Sequence, residues 1–367
     1  MADTVYGLND PETVKVWSKK LAREALKKTY VGKFIGSGTS SLIQECKDLK
    51  KSAGDRITVT LRMQLNGAGV QGDAILKGNE ESLTTYTDNL FIDQLRHAAD
   101  AGGRMSQQRV LFNMRKECMD GLSDWMAGRF DRAFFTQICG YTGGEVTEHG
   151  ETYDGTLTKY TGQNASLAPS SNRHFWSEDG TSADEGLDST GDNMALSLID
   201  DMVTEAKLAS PLIRPLKYQG EDLYVMFLHP RQVRDLRTDA TAAGSWFDIQ
   251  RARLEGGEGA KQNPIFNGSL GMYNNVVLHE SSRVTQGVNS STGAAISTVR
   301  RAPFCGAQAV GLAFGKGDAW EAWNWAEESD DYGNQLGVGA GYIGGLKKLR
   351  YNSEDFGTMV LSTYAAV

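Results

Sequence analysis

Between Ser106 and Cys139 apolar side chains return on one broad face at three- to five-residue steps: Leu111, Met114, Cys118, Leu122, Trp125, Phe130, Phe134 and Ile138. That period predicts one long amphipathic helix, and Gly140 stands where a left-handed residue closes a helix C-terminus. At 1.5 Å per residue the rod spans roughly 50 Å, longer than a small domain needs, so the rest of the chain is arranged around a spine. The segments before and after it mix strand and helix periods, which makes the fold class α+β.

Upstream, Asp88–Ala101 reads as a further helix, separated from the spine by Gly102 and Gly103. Ile57, Val59, Leu61, Met63 and Leu65 alternate with Thr58, Thr60, Arg62 and Gln64 as in a half-buried strand, residues 66–69 (NGAG) turn, and Val70–Leu76 returns. An isolated hairpin is marginal in water, so this one needs a surface to lie on. Pro11 to Lys28 reads as a helix with Asp10 as N-cap. Its apolar stripe, Val14, Trp17, Leu21 and Ala25, is narrow and flanked by lysines, as suits an arm lying on another surface rather than a core element.

Downstream, residues 141–190 are rich in Gly, Ser, Thr and acids without helical period, and read as a surface-facing insertion. A helix follows from near Asp192 to Ser210-Pro211, with Leu198, Ile199, Met202 and Ala206 facing inward. Leu223–Leu228 reads as a buried strand, His229-Pro230 opens a helix through Leu236, and Asn275–His279, Ala307–Phe314 and Trp320–Trp325 read as strands. Gly339–Tyr364 alternates strands with glycine turns.

With 367 residues the chain exceeds what one core usually serves, so two compact regions plus extensions are expected. The longest apolar run, Leu223–Leu228, is far short of the ~20 residues of a membrane span, and the acidic N-terminus is unlike a signal peptide. Four scattered cysteines without a CxxC read as reduced, mostly buried thiols. A formal charge of -8 argues against a free nucleic-acid-binding protein. The charge is uneven: residues 1–51 hold ten bases against six acids, and residues 141–190 nine acids against two bases. Such asymmetry suggests two environments.

Chemistry-bearing patterns are weak. Five histidines, His97, His149, His174, His229 and His279, stand apart with no metal-ligand spacing, so neither metal nor cofactor is expected. The run GSGTSS at 36–41 lacks the rest of a phosphate loop, and residues 267–271 fail the nucleophile-elbow pattern because Asn267 takes the first glycine's place. His229 at a strand end is the one candidate base, of the kind an enzyme or a carbohydrate-binding protein would use. A junction residue that satisfies backbone groups explains it as well.

Several phrases carry a family resemblance: LYVMFLHPRQVRDLR at 223–237, NPIFNGSLGMYNNVVLHE at 263–280, RRAPFCGAQAVGLAFGK at 300–316, DYGNQLGVGAGYIGGLKK at 331–348 and the ending DFGTMVLSTYAAV. They resemble the major capsid proteins of N4-like tailed phages, with the HK97-like fold that this implies. On that resemblance residues 1–54 are the N-terminal arm, 55–85 the extended β-hairpin loop (E-loop), 86–140 a peripheral domain with the spine helix, and 191–330 the axial domain. Residues 331–367 return to the peripheral domain, and 141–190, where no family phrase is found, remain the insertion. The implied function is a shell of hexamers and pentamers around double-stranded DNA, assembled in the host cytoplasm, with no catalysis and no membrane. The implied partners are other copies of the chain, a decoration or cement protein, a scaffold, a portal and the packaged DNA. Arm and hairpin supply the inter-subunit contacts, for which Trp17, Leu21, Arg62, Met63, Leu65, Val70 and Lys77 are the candidates. Some relatives of the fold crosslink a loop lysine to an asparagine, which Lys77 and Asn352 would match. A non-viral compartment shell shares the fold and would carry a cargo peptide instead of DNA.

Overall fold

The computed structural model describes residues 21–22, 24–25, 27–46, 54–62, 65, 67–73, 75–156, 162–177, 182–218, 220–238, 269–315 and 323–365. In chain order the first strands are β1 (Ile35–Gly36), β2 (Ile43–Cys46), β3 (Arg56–Arg62), β4 (Thr85–Phe91) and β5 (Asp93–Gly103), followed by helices α1 (Arg104–Arg109) and α2 (Met114–Ile138). Next come β6 (Val146–Glu148), β7 (Glu151–Tyr153), β8 (His174–Trp176), α3 (Leu196–Leu208), β9 (Leu216–Tyr218), β10 (Glu221–Leu228) and α4 (Pro230–Thr238). The last part holds β11 (Ser269–Tyr273), β12 (Val276–Glu280), β13 (Gln286–Val288), β14 (Ala295–Cys305), β15 (Val310–Phe314), β16 (Trp323–Asp330), β17 (Gln335–Lys348), β18 (Arg350–Tyr351), β19 (Glu354–Asp355) and β20 (Thr358–Tyr364).

The spine is α2, and it is shorter than its sequence period suggests. Val110 to Asn113 leave the helical path, and Asn113 caps a new start by accepting the Lys116 N–H at 3.3 Å. An N-cap outweighs an apolar period that happens to run through it. The remaining 25 residues make a rod of roughly 38 Å. At its far end Gly140 adopts φ +60° and closes the helix as expected.

Two sheets flank the spine. One runs β1-β2-β15-β17-β16, with β5 also paired to β17; the other runs β11-β12-β10-β14-β20-β8, with β13 and β9 attached. Phe130, Phe134, Phe135 and Ile138 of α2 pack between them, against Val225, Phe227 and Val277 on one side and Ile43, Leu312 and Phe314 on the other. Phe134, Phe135 and Phe227 meet edge to face at 5.3–5.9 Å. Full burial of each such ring stabilises by about 1.5–3 kcal/mol. The opposite face of the second sheet is covered by α3 and α4 through Ile199, Met202, Val203, Ala206, Val233 and Leu236.

The expected helix over 88–101 is strand instead. Leu95, Ala99 and Ala101 do point at the spine, but with period two, because β5 pairs antiparallel with β17 from Asp93↔Gly344 to Gly103↔Gln335. Tertiary pairing overrides the helical propensity of Leu, Gln, Arg and Ala here. The partner strand also corrects the reading of 339–364, since Gly339, Gly341, Gly344 and Gly345 lie inside β17 rather than in turns. A Cβ on Gly345 would stand 1.9 Å from the Phe91 carbonyl oxygen, so glycine admits a close backbone approach at that point. The hairpin likewise returns later than expected: β3 pairs with β4, from Arg56↔Phe91 to Arg62↔Thr85, and the described residues of 70–76 are not in a strand.

The expected elements after residue 190 are present at α3, β10, α4, β12, β15, β16 and the closing strands. The described residues of 141–190 do not all lie at the surface. Tyr141, Tyr153, Asp154, Asn164, Arg173 and Asp184 are buried, and β8 joins the second sheet beside β20. The acids that gave the segment its external character find arginines more than a hundred residues away, which no composition window registers.

Candidate functional site

The buried charges are the first place to look for chemistry. Glu148 takes both terminal nitrogens of Arg300 at 2.7 and 3.0 Å, Glu151 is forked by Arg283 at 2.6 and 2.9 Å and touched by Arg132 at 3.1 Å, and Asp184 accepts from Arg301 at 2.7 Å. Burial pushes the Glu148 carboxyl up, but the Arg300 hydrogen bond and charge overcome it and hold its pKa at about 2. Asp184 is also held well below the usual carboxylate range: burial opposes ionisation, and the His174 and Arg301 contacts outweigh it. These are acceptors locked by fixed partners, an arrangement that ties segments together and does not turn over protons.

One constellation has the residue types of a hydrolase: Ser362 Oγ lies 2.8 Å and Asp184 Oδ1 3.4 Å from His174. Both contacts fall on the same ring nitrogen, Nε2, whereas a base needs one nitrogen for the nucleophile and the other for its orienting acid. Ser362 is also fully buried. His229 is the junction residue between β10 and α4. Its N–H donates to Gln232 Oε1 at 2.9 Å, and its Nδ1 accepts the Arg231 N–H at 3.3 Å. Desolvation, with Arg300 adding repulsion, lowers its pKa to about 3, so the ring is neutral at ordinary pH and shut off from substrate. No group of His, Cys, Asp and Glu among the described residues could hold a metal ion, and no described helix is long and apolar enough to cross a membrane. All four cysteines are buried free thiols.

The unusual surfaces lie elsewhere. In the loop between β3 and β4, Leu65, Ile75, Leu76 and Leu83 are 54–74% exposed, with Arg62 and Lys77 also exposed and Val70 half-buried. The base of that loop is held firmly. Asp88 accepts from Lys347 Nζ at 2.5 Å and from the Arg350 N–H at 3.0 Å, and Val59, Leu61 and Tyr86 pack on Leu349, Tyr351 and Phe356. A rigid root thus carries an apolar tip that the described residues leave largely uncovered. Between β5 and the first half of α2 lies an apolar groove of about 500 Å³, lined by Phe112, Met114, Cys118, Leu122 and Trp125, with Leu111 fully exposed at its end.

The arm requires a correction. Leu21, expected at a subunit contact, is completely buried in its own subunit with Ala22 and Ala25, against Met119, Leu122 and Met126 of α2. The described end of the stripe, Leu21 and Ala25, meets the complementary face of the same chain's spine. Asp131 then fixes the exit of the arm, accepting the N–H groups of Tyr30 and Val31 at 2.9 and 3.1 Å. Desolvation lifts the Asp131 pKa to about 6 in spite of those bonds and of Arg283. Trp17 and Met63 lie outside the described residues. Lys77 and Asn352 are both exposed, Asn352 at φ 51° in the β18–β19 turn.

Buried acid–arginine pairs tie the body together, and the loop between β3 and β4 holds its aliphatic side chains exposed. Comparison with known proteins makes the class specific. Residues 5–367 match the phage capsid protein family. The chain is 30% identical to the major capsid protein of Pseudomonas phage KPP25, over 97% of this chain and 95% of that protein. The capsid of Ralstonia phage GP4 has a TM-score of 0.78 and 34% identity, covering 100% of this chain and 99% of that one. The Cyanophage Pam1 capsid has a TM-score of 0.69 at 21% identity over 93% of each chain. The fold is the HK97-like capsid fold. The chain belongs to the phage capsid protein family, and it is a major capsid protein of a tailed phage, a structural subunit of the virion shell that associates with copies of itself.

Proposed function

We propose that the chain forms the hexamers and pentamers of an icosahedral shell enclosing double-stranded DNA, assembles in the host cytoplasm, and catalyses no reaction. In this reading residues 86–140 and 331–367 form the peripheral domain around α2, 191–330 the axial domain, and 55–85 the extended loop that clasps the adjacent subunit. Residues 141–190 act as an internal tie between the two domains, through their acid–arginine pairs. The single observation that carries the reading is the loop tip: Leu65, Ile75, Leu76 and Leu83 on a rooted hairpin are 54–74% exposed, and a neighbouring copy supplies their cover. The groove beside Phe112 and Trp125 is the receiving surface of matching character. A scaffold, a portal and a decoration protein complete the set of partners, and the basic segment 1–51 faces the packaged DNA.

Sedimentation and electron microscopy of the purified full chain, with and without Ile75→Asp/Leu76→Asp, test this. Shells from the parent and folded, unassembled subunits from the double variant are expected. A parent chain that stays a monodisperse monomer under all assembly conditions would overturn it.

A further inference from the structure

The two helices covering one face of the second sheet show opposite charges to solvent. On α3, burial of Ile199, Met202, Val203 and Ala206 turns Asp201 and Glu205 outward one helical turn apart, with Leu208, 75% exposed, continuing the same face. Asp200 does not join them. It is occupied within the subunit, accepting from Tyr273 Oη at 2.8 Å and Asn274 Nδ2 at 2.9 Å. On α4, burial of Gln232, Val233 and Leu236 leaves Arg231, Arg234 and Arg237 at three-residue steps on the outer side. Arg231 reaches the Ser297 carbonyl at 3.4 Å and Arg234 its neighbour Asp235 at 3.0 Å. Asp201, Glu205 and Arg237 have no ion-pair partner among the described residues.

Two complementary strips on one subunit, in which Asp201, Glu205 and Arg237 have no ion-pair partner among the described residues and Arg234 meets only its neighbour Asp235, fit each other better than a third party. A nucleic acid laid along the arginines of α4 would run beside the carboxylates of α3 on the same layer, which repel phosphate. A second copy meets no such conflict. A contact that joins two different patches is heterologous, and it closes into a ring when the rotation between copies closes.

We propose that α3 of one subunit meets α4 of the next, with Asp201 and Glu205 facing Arg234 and Arg237, as the repeated head-to-tail contact of the ring. This rests on reading residues 191–330 as the axial domain. Exposed ion pairs are individually weak and screened by salt, so the contact selects partner and register and acts through repetition.

The experiment uses the full chain in three charge variants: Arg234→Glu/Arg237→Glu, Asp201→Lys/Glu205→Lys, and all four together. Circular dichroism and thermal melts serve as folding controls, and shell yield at low salt is read by sedimentation. Each double variant is expected to lower the yield at least tenfold, and the quadruple variant to return it to within about threefold of the parent. A second readout does not depend on those variants folding: Glu205→Cys/Arg234→Cys, in a chain whose own cysteines are buried, is expected to give an oligomer ladder on oxidation of assembled material and monomers from dilute subunits. Double variants that assemble like the parent, no ladder, or an arginine variant that assembles normally but packages less DNA would overturn the helix pairing and leave the shell reading standing. Absence of shells from the parent chain would overturn both.

Discussion

Residues 141–190 read in sequence as a polar, surface-facing insertion and Val70–Leu76 as the return strand of a hairpin that needs cover, and the described residues of each end in the opposite environment. In the first, Glu151, Glu148 and Asp184 pair with Arg283, Arg300 and Arg301. The second stands outside with Ile75 and Leu76 facing water. Location follows from partners: an acid with a distant arginine goes in despite its charge, and a leucine with no partner stays out despite its apolar surface.

The largest effect that separates the two regions is expected from the buried pairs. Glu148→Ala leaves the Arg300 guanidinium buried and unpaired, which costs about 3–5 kcal/mol, and denaturant unfolding of subunits should show it. A loss under 1 kcal/mol would mean that the segment is as loosely held as its composition suggests.

Acid sensitivity comes next. His229 has its pKa depressed to about 3 against 6.5 unfolded, so the unfolded chain binds more protons between those values. Its contribution to stability is complete above pH 6.5 and is lost as pH falls towards 3, at no more than roughly 1.4 kcal/mol per pH unit. Asp131, with its pKa raised to about 6, acts in the opposite sense: the native state binds the extra proton, so stability declines as pH rises from 3.8 through 6. Melts of His229→Gln across pH 3–7 should be flatter than those of the parent, and those of Asp131→Asn steeper in acid. Unchanged slopes would remove the body's charges as the source of acid lability.

At the junction between the regions, Asp88→Ala removes the acceptor of Lys347 and of the Arg350 N–H, for an expected loss of about 1–3 kcal/mol. Exchange at the backbone amides of β3 and β4 should rise with it.

The smallest change in subunit stability, within about 0.5 kcal/mol, is expected from Ile75→Ser/Leu76→Ser, because their side chains are 74% and 61% exposed. Shell yield should nevertheless fall at least tenfold. If the melt moves as much as the yield, the tip has an intramolecular role instead. A denaturing gel of mature particles addresses Lys77 and Asn352 separately: a ladder means a covalent bond between subunits, and a single monomer band excludes it.

Much of the body was legible from residues 190 to the end, because Leu223–Leu228 and α4 follow local rules: a buried apolar run, then Pro230 at the first helical position. The family phrases in the same region carried the shell assignment. What escaped had non-local causes. Leu95, Ala99 and Ala101 fit a helix until β17 claims them, and the burial of Leu21 depends on the spine's complementary face. The acid–arginine pairs are joined only by the fold and have no signal in spacing. The loop's exposure was half legible, since alternation placed the outgoing strand while the return strand begins at Thr85, fifteen residues after the expected start at Val70.

Hydrogen–deuterium exchange over residues 65–84, compared between assembled shells and disassembled subunits, tests the central claim most directly. The account calls for rapid exchange in free subunits and strong protection in shells, with α2 equally protected in both. A loop that exchanges at the same rate in the two states would contradict it.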